Sequence, residues 1–84
     1  MSIFKYSNYK SFIRDWIHSL PKRGRGEYQK MAKDLGIHTT MVSQIFKGDK
    51  HLNLEQALKL ADSIGLRQLE KDYLHILQLS DFQN

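Results

Sequence analysis

Between Ser7 and Pro21 the apolar residues Tyr9, Phe12, Ile13, Trp16, Ile17 and Leu20 recur three and four positions apart. That spacing predicts a helix of about three turns with one buried face. Ser7 or Asn8 is placed to cap its start, and Pro21, the only proline, stops it. Ile3, Phe4 and Tyr6 precede it and can pack back on the core. The segment PKRGRGE reads as a short, flexible, basic connector with no room for further structure.

The same period returns at Tyr28, Met31, Ala32 and Leu35, which predicts a second helix near Tyr28 to Leu35. Gly36 can take the left-handed conformation that ends it. A third helix is expected from about Thr39 to Phe46, burying Val42, Ile45 and Phe46 and closed by Gly48. After the loop DKHL, Asn53 can cap a fourth helix and Gln56 completes a capping box three residues on. That helix is expected to bury Leu54, Ala57, Leu58, Ala61 and Ile64 and to end at Gly65. A fifth helix begins near Leu66 and carries Leu69, Tyr73, Ile76 and Leu77, spanning about 66–80. No stretch alternates with period two over a useful length. The expectation is an all-α fold of five helices joined by short loops, one domain over residues 1–84.

Composition narrows the setting. Cysteine is absent, which removes disulfides and thiolate metal sites together and fits a reducing compartment. No apolar run approaches the ~20 residues of a membrane span. The N-terminus lacks the uninterrupted apolar core of a signal peptide, so a cytoplasmic protein is the default. The net charge is +4, and all of the excess lies in residues 22–50. There Lys22, Arg23, Arg25, Lys30, Lys33, Lys47 and Lys50 face only Glu27, Asp34 and Asp49. Within that basic stretch the third helix exposes Thr39, Thr40, Ser43, Gln44 and Lys47, side chains that donate and accept hydrogen bonds. A localised positive charge beside such a face suits a polyanionic partner.

Two short helices crossing steeply need a small residue where their backbones approach, here Ala32. Their turn needs a residue tolerant of positive φ, here Gly36. Together with Met31, Leu35, Ile37, Val42 and Ile45, this pattern resembles the helix-turn-helix of the phage-repressor-like (Cro/cI, XRE-type) DNA-binding family, over about 28–47. The following FKGDKHLNLEQALKLADSIGL is similar to that family's next segment, so the resemblance runs from Glu27 to about Leu66. The opening IFKYSNYKSFIRDW also looks like the start of a bacterial family whose longer members carry a second, C-terminal domain. That likeness implies either a fragment of such a longer protein or a short relative of it.

The family resemblance implies that the third helix lies in the major groove of double-stranded DNA. By position it nominates Thr39, Thr40, Ser43 and Gln44 as base readers. Their chemistry agrees: glutamine pairs bidentately with adenine, hydroxyls meet several bases, and a threonine methyl touches the thymine methyl. Lys47, Lys33, Lys50, Arg23, Arg25 and the hydroxyl of Tyr28 are the expected phosphate contacts. Two positions depart from the family pattern. Tyr28 stands where the family often has glutamine, and His38 stands where it has a small polar cap. The second departure leaves Thr39 either to cap the helix or to read bases.

Other chemistry is poorly supported. Trp16 and its neighbours follow the period of a buried face, which favours core over base stacking. His18, His38, His51 and His75 match no ligand pair on one helical turn. GRG is too short to cradle a phosphate, and no Lys-Ser/Thr follows it. No carboxylate pair suggests acid–base work, so neither an enzyme nor a cofactor is expected. In the fifth helix Leu74 and Leu79 lie off the apolar stripe and Phe82 follows. Either that helix wraps the core, or these residues form a homodimer seam or a junction to a further domain. A regulator of transcription that reads DNA as a homodimer, formed either in solution or only on DNA, is the leading expectation. The competing class is a protein-interaction or antitoxin-like module that keeps the fold without reading DNA. Structured RNA fits less well, because a helix cannot enter the narrow major groove of an A-form duplex.

Overall fold

Asn8 decides where the first long helix starts. Its side chain accepts the backbone N–H groups of Lys10 (2.8 Å) and Ser11 (3.1 Å), so Asn8 and not Ser7 is the cap. The computed structural model describes residues 2–24, 26–48 and 50–83, with the backbone alone for Arg23 and residues 81–83. Five α-helices follow one another: α1 (Tyr9–Ser19), α2 (Glu27–Leu35), α3 (Thr39–Phe46), α4 (Leu54–Ser63) and α5 (Gln68–Gln83). Among the described residues there is no strand, so the all-α reading stands.

The core gathers one face of every helix. Tyr9, Phe12, Ile13 and Ile17 of α1 meet Met31, Ala32 and Leu35 of α2, Val42, Ile45 and Phe46 of α3, and the buried faces of α4 and α5. Ile3, in a short 3-10 turn at Ile3–Lys5, is wholly buried beside them. Trp16 packs against this cluster as a partly buried residue. At the other end of the chain's path, the Tyr73 hydroxyl donates to the Tyr6 carbonyl at 2.5 Å, tying the N-terminal segment to α5.

Three expectations need correction. The connector after α1 has structure: Pro21–Gly24 forms a second 3-10 turn. Gly24 sits there at φ +74°, and a Cβ on it would fall 2.4 Å from Ile17 Cγ2 and 2.6 Å from the Ile17 carbonyl oxygen. A glycine is required at this position on two counts, the left-handed backbone and the close approach. In α4 the buried face is Ala57, Leu60 and Ala61, whereas Leu54 and Leu58 are about half exposed. α4 is packed between α2 and α5, and the stripe that satisfies both is turned away from Leu54 and Leu58. The capping box at its start is as expected, with Asn53 and Gln56 each accepting the other's backbone N–H.

The third correction concerns α5. Leu74 is 1% exposed and belongs to the core, so it is not surplus apolar surface. Its companions are Leu77 and Gln78, while Leu69 (74% exposed) and Ile76 (59%) face outward. A polar residue inside the buried stripe is the reason. Gln78 is buried because its amide donates to the Leu52 carbonyl at 3.0 Å, and counting apolar residues alone misses it. Leu79 is exposed as expected, and the Phe82 side chain lies outside the described residues.

Candidate nucleic-acid interface

The turn between α2 and α3 is built from backbone. Gly36 takes φ +71°, and the Ile37 N–H returns to the Ala32 carbonyl at 3.0 Å. Ile37 is thereby drawn against the core and α3 begins three residues after the glycine. His38 is the cap residue, but its side chain makes no capping hydrogen bond. Its carbonyl accepts from Met41 (3.0 Å) and Val42 (3.2 Å), which places Thr39 as the first helical residue. The alternative left open by the sequence is thus resolved: Thr39 is inside the helix and is not its cap.

Val42, Ile45 and Phe46 anchor α3 from below, each at most 1% exposed. Thr39, Thr40 and Gln44 are exposed on the other side and Ser43 is half-buried between them. Met41 is also partly exposed, an apolar member of a face expected to be polar. These four polar residues line one open depression together with Tyr28 and Lys47. Tyr28 reaches it from the first turn of α2, where its ring stacks on Phe46 at 5.9 Å and an interplanar angle of 26°. The stack leaves the ring little freedom and fixes where its hydroxyl stands. Lys47 is the cap at the other end, its N–H bonded to the Ser43 carbonyl at 3.0 Å.

The remaining nominated cations are spread wider. Lys33 and Lys50 are exposed but stand outside this depression. Arg25 and the side chain of Arg23 lie outside the described residues. Around Lys50 the chain is held tightly. The Lys50 N–H donates to the Gln44 carbonyl (3.3 Å), and Lys10 Nζ donates to the Lys50 carbonyl (2.7 Å). Two residues on, the Leu52 N–H donates to the Tyr9 hydroxyl (3.1 Å), and its carbonyl takes the Gln78 amide. The loop that leaves α3 is therefore fastened by side chains from α1 and α5. Sequence reasoning missed Tyr9, Lys10 and Gln78 in this role. The available signals were weak: Tyr9 reads as apolar core and Lys10 as a solvated lysine.

A family model described as helix-turn-helix matches residues 27–70, just over half of the chain, taking in α2, α3, α4 and the start of α5. Neither the curated proteins nor the solved structures contain a match. The matched family is one of DNA-binding domains rather than enzymes, and its members bind double-stranded DNA. No described helix is long and apolar enough to cross a membrane. The glycine turn, the buried stripe of α3 and the length of the match agree, and the chain belongs to the Cro/cI- or XRE-type helix-turn-helix family.

Proposed function

We propose that the chain is a sequence-specific double-stranded DNA-binding module of a bacterial or phage transcriptional regulator, working in the cytoplasm. α3 enters the major groove, with Thr39, Thr40, Ser43 and Gln44 meeting base edges. Lys47, Tyr28, Lys33 and Lys50, with Arg23 and Arg25, neutralise or bond the flanking phosphates. The observation that carries this reading is the shared depression: the four hydrogen-bonding side chains open to solvent on one side of α3, bracketed by Tyr28 and Lys47. Contacts to phosphate fix register and orientation, and contacts to base edges supply the sequence preference. The fastened loop after α3 supports the same reading, since a phosphate contact made from a rigid segment loses less ordering entropy on binding.

Titration of a duplex at several salt concentrations tests the electrostatic half. With about three phosphates touched, log K should fall with log[salt] at a slope near −3, since each contact contributes roughly −0.9. An affinity indifferent to salt would overturn it. We further propose that the protein acts on DNA as a two-fold dimer through α5. The exposed Leu69, Ile76 and Leu79 on that helix favour the pairing.

A further inference from the structure

We propose that a DNA backbone phosphate is bound outside the helix-turn-helix pair, in a hollow where the first turns of α1 meet the end of α3, and that Arg14 is its new ligand. The inference rests on the DNA-binding reading above and extends the footprint to a helix that the matched residues 27–70 do not include. The hollow, of about 220 Å³, is lined by Asn8, Lys10 and Arg14 from one side and Lys47, Gly48 and His51 from the other. Arg14 of α1 and Lys47 at the end of α3, distant in sequence, meet there. A concave site that brings cations of two helices together concentrates a counter-charge more than scattered surface lysines do.

The roles divide by what each group is already doing. Lys10 is 5% exposed and its ammonium donates to the Lys50 carbonyl, so it holds the wall in place. Asn8 occupies the first N–H groups of α1, so the attraction does not come from a bare helix end. Arg14 is exposed and makes no ion pair among the described residues. Its planar fork suits a phosphate, which accepts two parallel N–H bonds. Lys47 joins the two regions: it lines both this hollow and the depression over α3. A duplex seated against α3 therefore carries its backbone past Lys47 and toward Arg14.

The test is the salt dependence of duplex binding for the full chain, Arg14→Gln and Arg14→Lys, with circular dichroism confirming the fold. Arg14→Gln should flatten the slope of log K against log[salt] by about 0.9, which at 0.1 M salt is about an eightfold loss relative to the 1 M limit. Arg14→Lys should restore the slope and only part of the affinity. In NMR spectra the Arg14 Nε–H resonance should shift on adding duplex and stay in place with inorganic phosphate at equal ionic strength. Unchanged slope and affinity in Arg14→Gln, with the parent protein binding normally, would overturn this inference alone. A shift with inorganic phosphate and none with duplex would make the hollow a free-anion site and overturn it as well. If the parent protein binds no duplex at any salt, it is the DNA-binding reading that fails.

Discussion

The hydroxyl of Tyr9, in the first turn of α1, accepts the backbone N–H of Leu52 at 3.1 Å across 43 positions of the chain. Leu52 is fully buried, so its peptide group has no access to water and must be satisfied inside. Gln78 of α5 takes the other end of the same residue. Two helices remote in sequence thus hold one residue of the loop that follows α3.

Tyr9→Phe keeps the ring and strands the Leu52 N–H. We expect a loss of about 1–3 kcal/mol, the usual cost of a buried donor left unpaired, read from urea unfolding. Gln78→Ala should also destabilise, since it leaves the buried Leu52 carbonyl without its donor. Because both bonds act on one residue, the double variant should deviate from additivity by roughly 0.5 kcal/mol or more. Strict additivity would mean that the loop is not held as a unit.

Gly24 and Gly36 both have positive φ, and they should differ sharply in their tolerance of alanine. Nothing lies within 4 Å of a Cβ built on Gly36, so Gly36→Ala meets only the backbone penalty, about 1–2 kcal/mol. Gly24→Ala adds a clash with the Ile17 carbonyl and should cost roughly 1–3 kcal/mol more. Thermal unfolding of the two variants checks the order. Equal losses would show that the turn yields to relieve the contact.

Much of this was legible in the sequence because α1, α2 and α3 bury apolar residues on one face and several helix ends carry local signals. Asn53 with Gln56, Gly36 and Pro21 each act within a few residues of where they sit, so a linear reading finds them. The buried faces of α4 and α5 were harder. Their partners are tertiary: Leu60 and Leu74 are buried by neighbouring helices, and Gln78 enters the core because a loop carbonyl needs it. The polar face of α3 was readable from spacing, but its bracketing by Tyr28 and Lys47 depends on the crossing of α2 and α3.

Gln44→Ala and Thr40→Ala should alter DNA preference and leave stability nearly unchanged, since both side chains are exposed. Loss of a good base contact costs about 1–3 kcal/mol of discrimination. Val42→Ala opens a cavity under the same helix and should lose roughly 2 kcal/mol or more of stability, with binding falling only as a consequence. Competition among duplex variants, paired with unfolding curves, separates the two effects. If Gln44→Ala ranked the variants as the parent does, Gln44 would not read a base.

Leu79→Lys and Leu74→Lys probe the two sides of α5. The first is exposed and should weaken dimer assembly on a palindromic duplex while the helical spectrum is kept. The second forces a charge into the core and should unfold the protein. Sedimentation at saturating duplex reads the stoichiometry, and a strict 1:1 complex would sink the dimer.

The central claim is that α3 reads sequence, and selection of bound duplexes from a random pool tests it most directly. A single module reads few base pairs against ~10⁶ competing genomic positions, so a useful site should comprise two related half-sites about one DNA turn, ~34 Å, apart. Such a near-palindromic motif should be enriched, and its preference should be relaxed at one position of each half-site in the selection repeated with Gln44→Ala. Failure to enrich any motif, even at low salt where phosphate contacts are strongest, would contradict it and favour a protein-interaction module on the same fold.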